Sequence, residues 1–222
     1  MIYGNHEISI KMAVLGGATY FLILLIATAI DIVVWRKLTT EFSNWLNIIT
    51  MIALNIVFFR TLANRRGFKV SIFRNVSFNG IILAVGCAVL FYFLLDTFLD
   101  PIFESIFPKS EANFQEQLDS LRAAPMTSFL RVCFIAPIVE EILMRGYVLG
   151  GLSNKYGIIL ALLISSILFA LLHFNMVQTL SALICGLILG ILYIYTGSIF
   201  TCILAHALYN TISYFTTIYS IY

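Results

Sequence analysis

Glu140 and Glu141 stand side by side in the apolar run IAPIVEEILMRG (135–146), and Arg145 follows Glu141 by four residues. His173 ends the run FALLH, and His206 and Asn210 are four apart in HALYN. Residues four apart lie on one face of a helix, so Glu141 pairs with Arg145, Phe169 sits beside His173, and His206 sits beside Asn210. An ionised group in hydrocarbon costs at least ~2.5–3.5 kcal/mol, so such residues face a bundle interior and find partners there. Their expected meeting place is a single cavity.

The chemistry these types support together is hydrolysis by activated water. Glu140 points about 100° away from Glu141 on a helix and is left available. Desolvated there, it takes a proton from water and returns it to a leaving amine. His173 holds the same water, while His206 and Asn210 donate to the oxyanion of a tetrahedral intermediate. A serine nucleophile is disfavoured because no GxSxG elbow occurs, although Ser165 and Ser166 precede His173 by about two turns. Zinc held by Glu140, His173 and His206 stays open as an alternative. Against it, the chain has no HExxH, and Asn210 suits an oxyanion better than a metal.

The elements that carry these residues follow from composition. Of 222 residues, 61% are hydrophobic and 11% charged, and the mean hydropathy is +0.99. A membrane span needs ~20 apolar residues. Runs near 12–34, 46–62, 80–98, 128–148, 157–174, 176–195 and 198–218 meet or approach that length. The expectation is an all-α, polytopic transmembrane helix bundle of six to seven spans, forming a single membrane domain over residues 1–222. The runs are continuous rather than alternating, which excludes a spanning barrel. The segment from Met1 to Lys11 leads into a run too long for a signal peptide, so the first helix is expected to stay as an anchor.

Arg60, Arg65, Arg66, Lys69 and Arg74 crowd one connection, which the positive-inside rule assigns to the cytoplasm together with the N-terminus. The stretch from Asp96 to Asp119 reads as an outside loop, with Asp96, Asp100, Glu104, Glu111, Glu116 and Asp119 against Lys109 alone. Phe114, Leu118 and Leu121 recur there at helical spacing, as in an interfacial helix. Its acids read as a solvated face, or as a collar that draws in a basic peptide. Cys87, Cys133, Cys185 and Cys202 lie in apolar runs without CxxC spacing and read as small hydrophobes. Gly186 and Gly190 form a small-xxx-small notch for helix packing. The charge pattern offers no nucleic-acid footprint.

The three motifs EEILMR, FALLH and HALYN, in that order, resemble those of the CAAX protease and bacteriocin-processing family of intramembrane proteases. The flanking APIVEE and YTGSIFTCILAHALYN are also similar, and the resemblance covers about residues 126–218. It implies a polytopic protease in which Glu140 and His173 activate water, His206 and Asn210 form the oxyanion hole, and Glu141 with Arg145 shapes the site. The roles of the two glutamates are exchangeable at this level. Met144 stands where the family often has Phe, a departure that leaves the chemistry untouched. A compact chain of this kind is most similar to bacterial members that process peptides, which implies a bacterial cell membrane and a peptide or protein substrate, with no cofactor. The rival reading is a membrane protein without catalysis: an immunity factor that binds a bacteriocin-like peptide, or a small transporter. Transport predicts repeat symmetry, which the sequence lacks.

Overall fold

The computed structural model describes residues 6–173 and 175–218. The side chains of Thr40, Arg66, Glu111, Asn113, Phe114, Glu116, Gln117 and Ser120 lie outside this description, and with them the expectations placed on Arg66, Glu111, Phe114 and Glu116. The chain is all-α, an integral membrane bundle with no strand among the described residues. In order it forms α1 (Ile10–Val33), α2 (Thr40–Arg66), α3 (Phe78–Phe91), α4 (Asp100–Ile106), α5 (Pro108–Ala123), α6 (Pro125–Leu130), α7 (Ala136–Glu141), α8 (Gly150–Tyr156), α9 (Ile158–Ala170), α10 (Met176–Thr196) and α11 (Ile199–Ile218). A short 3₁₀ turn, Trp35–Lys37, joins α1 to α2.

Several of these helices are parts of longer rods joined by wider π turns. Tyr92–Leu99 links α3 to α4, Arg131–Ile135 links α6 to α7, and Ile142–Leu149 links α7 to α8. The rod over 125–156 therefore carries Glu140 and Glu141 between two π segments, and Arg145 within the second. Such π turns interrupt helices frequently at functional sites.

Four helices among the described residues are long and apolar enough to cross a membrane: Ile10–Lys37, Glu41–Arg65, Phe78–Ile106 and Met176–Thr196. The other expected spans differ for identifiable reasons. The rod over 125–156 holds Arg131, Glu140, Glu141 and Arg145, α11 holds His206 and Asn210, and α9 has only 13 residues. The helices that depart from a plain lipid-crossing composition are thus the ones that carry the motif residues. The three N-terminal rods turn residues such as Leu22, Ile26, Val57 and Phe93 outward, as lipid-facing helices do.

The stretch from Asp96 to Ile106, expected as loop, is instead helix continuous with α3. Its acids turn inward: Tyr209 Oη donates to Asp96 Oδ1 at 2.6 Å, and Ser181 Oγ donates to Asp100. Two of the six acids expected on a collar are therefore bundle groups, while Asp119 is exposed beside Arg122 at 3.4 Å. Burying a carboxylate demands a hydrogen-bond donor, and neighbouring helices provide one each time.

Close packing sets where α10 can lie. A Cβ on Gly190 would stand 2.3 Å from Leu162 Cδ1, and one on Gly186 would stand 3.2 Å from Ser166 Cα and from Phe169 Cδ1. The glycine notch therefore brings α10 directly against α9 and its motif phenylalanine. The N-terminus of α10 is capped by Asn175, which accepts from Gln178 N at 3.2 Å. Ser110 of α5 donates to Asn175 Oδ1 at 2.8 Å, and Thr179 Oγ1 donates to His173 O at 2.9 Å, so the turn bearing His173 is tied on both sides. Cys133, Cys185 and Cys202 are buried, Cys87 half-buried, and all four are free thiols.

Candidate active site

Arg145 and Glu141 are both fully buried, with Nε and Oε2 3.0 Å apart. The two lack the alignment of a hydrogen bond and are held as an ion pair, one helical turn apart. The terminal nitrogens Nη1 and Nη2 of Arg145 have no hydrogen-bond partner among the described residues, and the guanidinium carbon sits 5.0 Å from the centre of the Phe169 ring. Glu141 uses its other oxygen elsewhere: Oε1 is 3.0 Å from His206 Nδ1, on α11. That contact sets Nδ1 as the protonated nitrogen facing the carboxylate and turns Nε2 outward. Nε2 lies 4.0 Å from Glu140 Oε2, whose side chain is 14% exposed. Charge and hydrogen bonding thus run from Arg145 through Glu141 and His206 to Glu140.

His173 enters from the end of α9. Its Nδ1 is 3.1 Å from Phe169 O, and its ring stands edge-on to the Phe169 ring at 5.3 Å. Phe169 also meets the His206 ring at 5.7 Å. One aromatic ring therefore meets the guanidinium and both histidine rings. The sequence reading had placed Phe169 only as the helical neighbour of His173.

Asn210 makes a contact that the reading missed. Its Nδ2 donates to Val132 O at 2.9 Å, and its own backbone carbonyl accepts weakly from Cys133 Sγ at 3.5 Å. An amide nitrogen has two protons, so one N–H of Asn210 remains after the bond to Val132. Val132 lies in the first π segment of the rod, and two more carbonyls of that rod are held in the same manner. Met144 O accepts from Ser165 Oγ at 2.9 Å, and Tyr147 O is 2.9 Å from His6 Nε2. A carbonyl has two lone pairs, and π turns leave the second accessible to a side chain. Ser165 is accordingly a structural donor to the rod.

Tyr20 of α1 is a second residue the reading passed over; it is 2% exposed and lies within the electrostatic field of Glu140. Its only sequence signal is a tyrosine in an otherwise apolar run. As for zinc, no group of three His, Cys, Asp or Glu suited to a metal ion occurs among the described residues. His173 Nδ1 and His206 Nδ1 are directed to Phe169 O and Glu141, which leaves only their Nε2 atoms for any ligand.

Residues 122–212, which contain Glu140, Glu141, Arg145, His173, His206 and Asn210, match the family described as type II CAAX prenyl endopeptidase Rce1-like. Over these residues the chain is similar to the Rce1-like family. The Rce1-like segment begins at the end of α5 and takes in the rod, α9, α10 and most of α11, close to the 126–218 expected from the three motifs. The chain is also 32% identical over 103 residues to the Bacillus subtilis (strain 168) protein named "Putative membrane peptidase YdiL". That match covers 46% of this chain and 42% of the relative. No solved structure matches the chain.

Proposed function

We propose that this protein is an intramembrane endopeptidase that hydrolyses a peptide bond with water activated by Glu140 and His173. The observation that carries the reading is the division between the two glutamates. Both oxygens of Glu141 are engaged, by His206 at 3.0 Å and by Arg145 at 3.0 Å, whereas the ion-pair contact of Glu140 among the described residues is a 4.0 Å approach to His206 Nε2. Glu140 is the carboxylate free to accept a proton, and Glu141 holds His206 and Arg145 in place. The water oxygen adds to the substrate carbonyl, its proton passes to Glu140, and the oxyanion is met by His206 Nε2–H and the remaining N–H of Asn210. The C–N bond then breaks as Glu140 returns the proton to the amine. Because Nδ1–H already faces Glu141, donation from Nε2 uses the doubly protonated ring, which His206 keeps through the whole cycle while the water proton passes by way of Glu140 to the amine.

The substrate class is a peptide or protein precursor presented at a bacterial cell membrane, as the Rce1-like match and the relative's name support. The decisive experiment is cleavage of a peptide library by the purified chain in detergent, compared with Glu140→Gln. Loss of a general base typically costs ~10²–10⁴-fold in rate, with size and hydrogen bonding kept. Cleavage by a folded Glu140→Gln at the parent rate rejects the mechanism. An immunity factor acting by binding alone would keep its protective effect in that variant.

A further inference from the structure

A polar cavity of about 400 Å³ opens where α1 ends and α2 begins, and none of the motif residues lines it. Its walls include Asp31, Arg36, Asn44, Asn47, Thr127 and Arg131. From these residues we propose that the cavity is a binding site for the phosphodiester headgroup of an anionic phospholipid.

The charge balance supplies the first reason. Arg36 Nε and Asp31 Oδ2 are 3.1 Å apart and largely cancel. Arg131 is half-buried and lies in the field of Asp31, yet it forms no ion pair or hydrogen bond among the described residues. The side-chain amides of Asn44 and Asn47 are likewise without a protein partner there. The cavity thus holds one uncompensated positive charge, on a planar fork suited to phosphate oxygens, beside two neutral amides. A group with a single negative charge and several acceptor oxygens completes it. A free carboxylate to receive an ammonium head is lacking, since Asp31 is already taken by Arg36, so a choline or ethanolamine lipid is matched less well.

Depth supplies the second reason. The cavity lies between the end of the apolar helix Ile10–Lys37 and the start of Glu41–Arg65, the level at which headgroups reside. Trp35 Nε1 donates to Thr50 Oγ1 at 3.1 Å at the same level, as interfacial tryptophans do. Close in the chain to the lining residues, Val33, Val34, Phe42 and Met126 are exposed, apolar surface that suits acyl chains and offers nothing to a free inorganic anion. The volume is in the ~300–1,000 Å³ range of small-molecule sites.

The full chain, purified in detergent and stripped of lipid, can be titrated with phosphatidylglycerol, phosphatidylcholine and inorganic phosphate while bound lipid is counted by native mass spectrometry. Phosphatidylglycerol should occupy one site per chain at about tenfold lower concentration than phosphatidylcholine, a difference of ~1.4 kcal/mol. Arg131→Gln should abolish that preference. Equal binding of both lipids, or an unchanged preference in Arg131→Gln, overturns the proposal. Displacement of phosphatidylglycerol by equimolar inorganic phosphate also overturns it, by making the site one for free anions. If Arg131→Gln fails to fold, Asn47→Asp adds a negative charge to the same wall and should remove the preference equally.

Discussion

Glu141 and His206 are 65 residues apart in the chain, and their Oε1 and Nδ1 atoms are 3.0 Å apart in the bundle. This one contact joins the first motif to the third. It also fixes which imidazole nitrogen faces Glu140.

The pair Glu141 and Arg145 predicts an asymmetric response to mutation. Breaking a buried pair from one side leaves an unpaired charge and typically costs ~3–5 kcal/mol, whereas replacing both partners with apolar groups costs far less. Arg145→Ala should therefore lower folded yield and melting temperature sharply. Glu141→Leu combined with Arg145→Met should recover much of the stability while remaining inactive, because His206 has lost its carboxylate. Thermal melting in detergent and the peptide assay check both halves.

Asn210 is assigned two tasks, and the variants should separate them. Asn210→Ala removes an oxyanion donor, worth ~10²–10³ in kcat, and leaves Val132 O without its bond, a loss of ~1–3 kcal/mol. Asn210→Asp loses both donors and places a carboxylate against that carbonyl, so it should be the more damaging change. A readout of kcat and of melting temperature for each distinguishes a catalytic amide from a purely structural one.

Cleavage is expected to survive strong chelators, and metal analysis of the active protein is expected to find no stoichiometric zinc. If chelation abolishes cleavage and zinc restores it, Glu140, His173 and His206 take the roles of ligands, because metal affinity then controls the active fraction.

The N-terminal strap predicts a dependence of stability on pH. His6, ahead of α1, is 7% exposed, and burial holds its pKa below the ordinary 6.5 in spite of its bond to Tyr147 O. The unfolded chain then binds more protons than the folded one between that lowered value and 6.5. The stability attributable to His6 is complete above 6.5 and is lost as pH falls through the folded value. Melting temperature should decline on acidification below 6.5. His6→Gln should decline less steeply, the difference between the two profiles being the measurement.

The all-α membrane bundle was legible in the sequence because hydropathy is a bulk property of a run, and the motif spacing was legible because helical geometry is local. Glu141 and Arg145 needed only that geometry to be paired. His206 on Glu141, Asn210 on Val132 and Phe169 among three polar groups are contacts between helices, and no periodicity within one helix encodes them. The inward turn of Asp96 was hidden for the same reason. Its partner Tyr209 lies on α11, and a charged residue read alone at the end of an apolar run looks like a loop. The π turns leave no hydropathy signal, since they change the pitch of the backbone while the residues stay apolar.

His6, Ser165 and Asn210 each grip a different carbonyl of the rod over 125–156, at Tyr147, Met144 and Val132. A shaft clamped at three heights can neither roll about its axis nor slide along it. Under the proposed function, a doorway for a polypeptide would open in the surrounding wall. The helix Glu41–Arg65, with 17% of its apolar window buried, is the panel least covered among the four candidate spans of the described residues.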